Sequence, residues 1–398
     1  MSKIKILAIA PDSKGVGRIR TFQPYTLLNE QFSDEVHVTI KLDIDYSDLD
    51  YFAQFDFIHI HKSPKNIKEG SETIRKLQEK GCIVNIDIDD YWELPSYHGL
   101  FVNWSQQNIG KYIVQNLKQA DCVSTTTNFF AQQIRKYNKN VYVLPNAINP
   151  FEKQFQINKE ENERIRFGWI GGSNHKQDLE PIQGMVNRLH GQRNQIQMVL
   201  GGFDTSGVVT YFNREKNDYE QRNIEPKESH SYTYENFFTD NYKLINDYPI
   251  YKNFLLQFDS QRDFDDKDLP YRRIWTKQSH RYAEFYNFVD VSLAPLVNNM
   301  FNRVKSNIKI IEAGFFKTPI IAQELECYTE DIQHGENGFL VSPRKNHKNW
   351  YNFVKKYLNN PEMIHDHGMA LYETVKDDYN LYNVNYNRLE MIQNQLNN

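Results

Sequence analysis

The sequence predicts an α/β protein built from two doubly wound parallel sheets, and three observations lead to this fold class. Short apolar runs, typical of strands buried on both faces, alternate with amphipathic helical segments. The alternation occurs twice, and a polar, charged stretch with the sequence QFQINKEENERI separates the two series. The length of 398 residues also exceeds what a single hydrophobic core usually supports.

The N-terminal domain is predicted to cover residues 1–152. Its first strand, IKILAIAP, leads through a glycine loop into a helix. Glycines let the backbone approach a ligand, and a helix N-terminus favours an anion. Gly15, Gly17 and Arg18 are therefore candidate phosphate-binding residues, with an ordinary tight turn as the alternative. The remaining strands of this domain are predicted at VHVTIKL, FDFIHIH, CIVNIDIDD, CVSTTT and VYVLPNAIN.

The C-terminal domain is predicted to cover residues 163–375, and a final helix in residues 376–398 is expected to pack back on the first domain. An aromatic, charged insertion occupies about residues 203–269. A functional loop, a small helical subdomain, an oligomer contact and a decoration without function are the alternatives for it. The strands of this domain are predicted at RFGWIGG, IQMVLGG, DVSLAPL, PIIA and FLVSP.

The stretch NRVKSNIKIIEAGFFKTPIIA carries the clearest chemical signal in the chain. Lys305, Lys309 and Glu312 have spacings of four and three, which predicts one helical face. Ser306 adds a hydroxyl at the start of this helix. A cation, a helix N-terminus and an acceptor for a vicinal diol together suit a nucleoside diphosphate. A solvated Lys/Glu face is the alternative for the helix taken alone.

Over about forty residues this region resembles the C-terminal half of a retaining GT-B glycosyltransferase of the group 1 type. The matching residues are Lys305, Ser306, Lys309, Glu312, Gly314, Pro319, Ile321, Ala322 and the run GENGFLV from Gly335 to Val341. One departure is Val304, which stands where many members carry a second Glu. The resemblance implies two Rossmann-like domains facing each other across a cleft, the first on the acceptor side and the second on the nucleotide-sugar side. It also implies sugar transfer from a nucleotide-diphosphate sugar, with retention of configuration.

The turn after the strand RFGWIGG is the next candidate donor-binding element. A strand-to-helix turn of this kind suits a phosphate, and family members have a basic residue here that neutralises the leaving diphosphate. The candidates are Gly172, Ser173, His175 and Lys176. The arginine that usually follows the first glycine is missing.

Three carboxylates, Asp87, Asp89 and Asp90, end a predicted buried strand. They suggest either a divalent metal site or a cluster that positions loops and hydroxyls. We favour the second interpretation and expect no metal and no other cofactor, because GT-B enzymes usually need none. In the family this strand often ends in a histidine near the transferred sugar. Asp89, His98 and Lys305 are accordingly the candidate catalytic residues.

The composition restricts the possible binding partners and the cellular compartment. The net charge is -4, with 47 basic and 51 acidic residues, so no broad basic footprint for nucleic acid is present. Three scattered cysteines and the absence of a long apolar run predict a cytoplasmic protein without a transmembrane segment. The expected donor is a nucleotide sugar. The acceptor is not determined by the sequence, and the alternatives are a glycan, a lipid-linked glycan, a protein and a modified nucleic acid. The sequence is also compatible with a homo-oligomer.

Two other classes of function remain compatible with the sequence. One is a binding module of GT-B shape that holds a nucleotide sugar without transferring it. The other is a different enzyme on the same fold, such as an epimerase or a phosphorylase. A phosphorylase would need a cofactor lysine motif, which the sequence lacks.

Overall fold

The chain forms two compact units in the computed structural model. The first comprises Met1–Pro150, Asn299–Ile311 and Val375–Asn398, and the second comprises Phe151–Asn298 and Glu312–Thr374. The residues that the structure describes are 2–42, 44–172, 175–192, 194–202, 208–213, 216, 218–223, 269–274, 277–344 and 347–397.

The first unit is built on a six-stranded parallel sheet. Its strands are β1 (Ile4–Ile9), β2 (Val36–Lys41), β3 (Phe57–His61), β4 (Ile83–Ile88), β5 (Cys122–Thr125) and β6 (Val141–Val143). Their order across the sheet is β2-β1-β3-β4-β5-β6. The helical segments of this unit are Gly15–Gly17, a π-helical turn at Arg18–Phe22, Gln23–Gln31, Leu49–Phe52, Ile67–Glu69, Gly70–Glu79, Phe101–Gln106, Ile109–Gln119, Asn128–Ile134, Met300–Arg303 and Leu381–Asn397.

Successive residues of β1 point to opposite faces of this sheet, so the unit has an apolar cluster on each face. Leu7 belongs to one cluster, and Ile6 belongs to the other. The second cluster is completed by Leu389 and Ile392 of the last helix. The C-terminal segment is therefore part of the core of the first unit.

The second unit is built on another six-stranded parallel sheet. A separate antiparallel pair, β9 (Val208–Asn213) and β10 (Asp218–Asn223), lies within the predicted insertion. Most of the rest of that insertion lies outside the described residues. The sheet strands are β7 (Ile165–Ile170), β8 (Ile196–Gly201), β11 (Tyr271–Ile274), β12 (Val291–Ala294), β13 (Ile320–Gln323) and β14 (Gly338–Val341), in the order β11-β8-β7-β12-β13-β14.

Helices cover this second sheet and enclose a core that includes the fully buried Trp169 and Trp350. No helix in the described part of the chain combines the length and the apolar character that a bilayer span requires. The helical segments are Lys153–Phe155, Lys176–Leu189, His190–Gln192, Tyr282–Phe288, Glu326–Thr329, His347–Asn359 and Glu362–Val375, together with Ile308–Phe315, whose first half belongs to the first unit.

The segment Asn299–Ile311 packs with the first unit, although the sequence boundaries place it in the C-terminal domain. Val304 is fully buried in an apolar cluster of that unit. Asn146 Nδ2 donates to Ser306 Oγ at 2.9 Å, and Asn307 Nδ2 donates to Tyr379 OH at 2.7 Å. The predicted domain boundary differs from the structural one because these contacts join residues that are far apart in the sequence, and side-chain spacing along the chain does not reveal them.

The predicted linker is fixed to the second unit. Lys159 Nζ donates to Thr318 Oγ1 at 2.8 Å, and burial lowers the pKa of this lysine to about 8. Glu160 Oε2 pairs with Arg272 Nη1 at 2.7 Å. Polar side chains of this stretch therefore bind to residues of the second unit, through one hydrogen bond and one ion pair.

Candidate functional site

The carboxyl ends of β7 and β12 define the candidate ligand site of the second unit. Strand order reverses here, because β8 lies on one side of β7 and β12 on the other. Ligands of open α/β sheets bind in the crevice at such a point. The loop after β7 carries Gly171, Gly172 and His175, so this predicted donor loop lies at the expected edge.

Asp178 holds the histidine of the predicted donor loop in the second unit. His175 Nδ1 lies 2.8 Å from Asp178 Oδ2. The other oxygen of this buried carboxylate accepts a hydrogen bond from the backbone N–H of Val297 at 3.0 Å. Asp178 thus joins the loops after β7 and β12 and orients the imidazole of His175.

Glycines allow two loops to approach each other at this edge. A Cβ on Gly171 would overlap the ring of Trp169. Gly202 has a φ of 94°, and its Cβ would lie 2.9 Å from the carbonyl oxygen of Gly171. A Cβ on Gly172 would meet no atom within 4 Å. Two further predicted donor residues, Ser173 and the side chain of Lys176, lie outside the described residues.

Glu312, the predicted acceptor for a ribose diol, lies in the helix Ile308–Phe315 and is 4% exposed. Its carboxylate accepts hydrogen bonds from Tyr282 OH and, at 3.0 Å, from Tyr286 OH. Burial and the charge of Glu312 raise the pKa of Tyr286 well above its ordinary value. The tyrosines therefore act as donors, and they hold the carboxylate in a fixed plane.

The structure corrects the helical face predicted for Lys305, Lys309 and Glu312. The helix begins at Ile308, so Lys305 precedes it, and its ammonium lies 4.9 Å from the ring centre of Phe301. Lys309 and Glu312 do belong to the helix, where a spacing of three brings side chains onto one face. The predicted alignment therefore applies to these two residues.

The first glycine loop has a structural explanation at both glycines. Gly15 has a φ of 46°, a conformation that side chains disfavour. A Cβ on Gly17 would overlap the backbone of Asp12. Arg18 follows directly and is half-buried. The backbone conformation therefore explains both glycines. This agrees with an ordinary tight turn, the alternative interpretation given for this loop in the sequence.

A buried charge network lies at the carboxyl ends of β3 and β4 in the first unit. Asp87 is 1% exposed and accepts from Arg20 Nε at 3.0 Å and Arg20 Nη2 at 2.5 Å. It also accepts from Ser124 Oγ at 2.7 Å. Although burial alone would raise the pKa of Asp87, the charge of Arg20 holds it well below its ordinary value. Asp87 is therefore an ionised structural hub.

His61 extends this network towards solvent. Its Nδ1 lies 3.2 Å from Asp87 Oδ2, and its Nε2 lies 3.4 Å from Asp89 Oδ1. Burial opposes protonation of the imidazole, but the two carboxylates raise its pKa. Lys62 Nζ completes the network, at 3.2 Å from Asp89 Oδ1 and 3.3 Å from Asp90 Oδ2. Asp89, a predicted catalytic residue, is thus held as a carboxylate by the Lys62 ammonium and the His61 imidazole.

Local sequence patterns do not reveal this network as a unit. The available signal was the pair of strand ends HIH and DID, because parallel neighbours bring His61 opposite Asp87. The partner Arg20 could not be identified in this way, since it lies in a helical turn far from both in sequence.

His98, another predicted catalytic residue, is half-buried in the first unit. Its Nδ1 accepts from the backbone N–H of Leu100 at 3.1 Å, and its ring contacts the Phe301 ring edge-on at 5.8 Å between centres. Burial and the charge of Lys305 lower the pKa of His98, whereas Asp90 opposes them. The structure therefore brings His98 into the same electrostatic neighbourhood as Lys305 and Asp90.

Comparisons with known proteins agree on the architecture. No protein-family model matches the chain, and no curated protein matches its sequence. A glycosyltransferase from Rickettsia africae matches the structure with a TM-score of 0.62 and 12% identity, covering 100% of both chains. HepE from Anabaena, in complex with UDP, matches with a TM-score of 0.60 and 11% identity, covering 99% of this chain and 100% of that one.

The protein has the GT-B fold. A third match, TarM, has a TM-score of 0.53 and 13% identity over 84% of this chain. The chain spans 54% of the length of TarM. At these identities the likeness concerns the fold, and it confirms the predicted class of two Rossmann-like sheets.

The buried residue His59 predicts how the free energy of unfolding depends on pH. Asn85 Nδ2 donates to His59 Nδ1 at 3.0 Å, and His59 Nε2 lies 3.3 Å from Thr21 Oγ1, which suits a neutral imidazole. Burial lowers the pKa of His59 to about 3. As the pH falls below about 6.5, the unfolded chain binds a proton that the folded chain excludes, so stability decreases by up to ~1.4 kcal/mol per pH unit.

Replacing this histidine should flatten that dependence. We expect His59→Leu to show a smaller slope of unfolding free energy against pH between about pH 6 and pH 4. Urea denaturation at each pH measures the slope, and the slope is informative even though the substitution itself changes stability. Equal slopes in both proteins would contradict a neutral buried His59.

Proposed function

We propose that the protein is a glycosyltransferase that moves a sugar from a nucleoside-diphosphate sugar to an acceptor, with retention of configuration. The observation that carries this proposal is the likeness of the entire chain to HepE, which was crystallised with UDP and with UDP-glucose. A uridine diphosphate sugar is the donor that this likeness favours.

The donor binds to the second unit in this proposal. Glu312 accepts hydrogen bonds from the ribose diol, because its carboxylate plane is already set by two tyrosine hydroxyls. The backbone N–H groups of the loop around Gly172 and the oriented imidazole of His175 contact the diphosphate. Phosphate binding by Lys305, Ser306 and Lys309 stays a prediction from the sequence pattern, because these three residues belong to the first unit.

Sugar transfer requires that the charge of the departing nucleoside diphosphate be neutralised. Lysines, a histidine and backbone donors can supply this without a metal. In the first unit, Asp89 lies beside the imidazole of His61, and His98 is influenced by the charges of Lys305 and Asp90. These groups are proposed to bind hydroxyls of the reacting sugars, and no covalent nucleophile is assigned among them.

A panel of nucleotides and nucleotide sugars in a thermal-shift assay tests this proposal. A ligand at about one hundred times its Kd stabilises a protein by ~2.7 kcal/mol. We expect UDP and at least one UDP-sugar to raise the melting temperature. Absence of a shift with every nucleoside diphosphate would contradict a donor site.

Metal independence is a separate prediction of this proposal. The aspartate that would anchor a metal, Asp87, already accepts hydrogen bonds from Arg20 and Ser124. We therefore expect transfer, or hydrolysis of the donor, to proceed at an unchanged rate in excess EDTA. Loss of activity on chelation, restored by Mn²⁺ or Mg²⁺, would instead assign Asp87 and Asp89 to a metal.

One observation favours a second candidate function, a module that binds a nucleotide sugar without transferring it. Val304 is buried in an apolar cluster at the position where many group 1 enzymes carry a glutamate. Loss of that carboxylate removes a partner for the sugar hydroxyls. Binding of a UDP-sugar without any release of UDP would support this alternative.

A further inference from the structure

Positive charge is concentrated in one segment of the second unit. Residues 337–361 contain no Asp or Glu, although the whole chain has more acidic than basic residues, 51 against 47. The basic residues of this segment are Arg344, Lys345, Lys348, Lys355 and Lys356. The last three belong to the helix His347–Asn359. This helix therefore carries positive charge without any carboxylate of its own.

The helix His347–Asn359 is amphipathic, and the core already uses its apolar face. Trp350 and Val354 are fully buried in the apolar cluster of the second unit. Lys348 is exposed, and Lys355 is half-buried. The side of the helix that is left to solvent is thus the basic one, and a partner that reaches it meets charge.

Three cations surround the ring of Tyr351 on the solvent side of this helix. Lys348 and Lys355 are three and four residues away from Tyr351, which puts the three side chains on one helical face. The ammonium of Lys355 lies 5.9 Å from the centre of the tyrosine ring. The guanidinium of Arg188, in the helix Lys176–Leu189, lies 5.7 Å from the same centre. Arg188, Lys348 and Lys355 are called the basic patch below.

The basic patch differs from other exposed cations in its lack of carboxylate partners. Lys76 and Lys80 of the first unit, for example, pair with Glu72 and Asp50. Among the residues that the structure describes, no carboxylate forms an ion pair with a cation of the basic patch. Its like charges repel one another, and an approaching anionic surface relieves that repulsion.

The shape of the basic patch favours an extended partner. Lys348 and Lys355 are about 10 Å apart along the helix axis, at 1.5 Å per residue, and they lie on its convex outer side. A plane of many negative charges can contact all three cations together, as a single small anion does not. Basic amphipathic helices are typical of contact with membrane surfaces, where tyrosine rings lie among the headgroups. The chain lacks the broad basic footprint of a nucleic-acid-binding protein.

We propose that the basic patch docks the protein on a lipid bilayer that contains anionic headgroups. The phosphate groups of the headgroups contact Arg188, Lys348 and Lys355, and the ring of Tyr351 lies between them. The contact is electrostatic and involves no insertion of this helix, because its apolar side chains are packed in the core. The inference concerns where the protein acts, and it does not depend on sugar transfer.

Co-sedimentation of the full chain with vesicles tests the proposal. Vesicles of phosphatidylcholine alone are compared with vesicles of phosphatidylcholine and phosphatidylglycerol in equal amounts. We expect binding to the anionic vesicles in ~0.1 M NaCl and its loss in ~1 M NaCl, because the Debye length falls from ~10 Å to ~3 Å. Equal binding to both kinds of vesicle, or no binding to the anionic ones, would overturn the proposal.

Two matched double variants locate the contact. Lys348→Gln combined with Lys355→Gln removes two cations of the basic patch, and each should lower the partition coefficient about fivefold, hence about 25-fold for both. Lys76→Gln combined with Lys80→Gln makes the same change in net charge in the first unit and should leave binding unchanged. Equal losses in the two double variants would attribute binding to net charge and overturn the assignment. Circular dichroism and the melting temperature show that both proteins are folded.

Soluble polyanions and UDP complete the test. Tight binding of polyphosphate or duplex DNA without any binding of anionic vesicles would identify a soluble polyanion as the partner and overturn the proposal. Arg188 lies in the last turn of the helix Lys176–Leu189, about 18 Å along it from the donor loop at its start. Stabilisation by UDP should therefore be the same in the Lys348→Gln, Lys355→Gln protein. Loss of vesicle binding with UDP stabilisation retained supports the patch, whereas loss of both would show a general defect and overturn its assignment.

Discussion

Arg20→Met is expected to destabilise the protein by ~3–5 kcal/mol, the usual cost of removing one partner of a buried ion pair. Arg20 is 3% exposed, and its guanidinium donates to both oxygens of Asp87. It also donates to the carbonyl oxygen of Leu144 at 2.6 Å and to Asn146 Oδ1 at 3.2 Å. The variant leaves a buried carboxylate with Ser124 and His61 as its remaining partners. Urea denaturation followed by tryptophan fluorescence measures the loss.

Two controls identify the unpaired charge as the cause. Adding Asp87→Asn to Arg20→Met removes the charge while keeping an amide for Ser124, so we expect the double variant to recover ~1 kcal/mol or more relative to the single one. Arg75→Met breaks an exposed pair with Glu72 on the helix Gly70–Glu79 and should have a much smaller effect. Equal losses for Arg20→Met and Arg75→Met would contradict the structural role of Asp87.

Glu312→Gln is expected to weaken UDP binding by roughly 10- to 150-fold, which corresponds to the ~1.5–3 kcal/mol of a hydrogen bond to a charged group. A glutamine presents one oxygen and an N–H₂ group where the ribose diol meets two acceptors. Tyr282 and Tyr286 would also compete for the single oxygen. Isothermal titration of UDP into both proteins measures the change.

Pyrophosphate distinguishes a ribose contact from a general defect. It lacks the diol, so its affinity should be nearly unchanged in Glu312→Gln. The control variant is Glu324→Gln, which changes an exposed glutamate of the same unit and should leave both ligands unaffected. A similar loss of UDP and pyrophosphate binding in Glu312→Gln would show that Glu312 supports the structure of the site and does not contact the ribose.

The strands were largely predictable from the sequence, because a strand buried on both faces must be a continuous apolar run. The helix Gly70–Glu79 was predictable as well, since Gly81 has a φ of 87° and ends it. The glycine-rich turn after β7 followed from the same logic. These features depend on neighbouring residues in the chain, so local patterns contain them.

Two features could not be predicted from local patterns, namely the position of Lys305 outside the helix and the buried charge network. The spacing of Lys305 to Lys309 fits a helix, but Val304 is drawn into the core of the first unit, and Ile310 and Ile311 donate to the carbonyl oxygen of Asn307. The helix therefore starts after Asn307. Such long-range packing leaves no periodic signal in the sequence.

Release of the nucleoside diphosphate from a panel of nucleotide sugars, including UDP-glucose, tests the central claim most directly. A coupled assay would follow UDP formation with and without p-nitrophenyl glycosides as candidate acceptors. We predict measurable UDP release from at least one donor, acceleration by an acceptor, and slower release in Glu312→Gln. Nucleotide sugars that bind without releasing UDP under any of these conditions would contradict transfer and leave the protein a binding module.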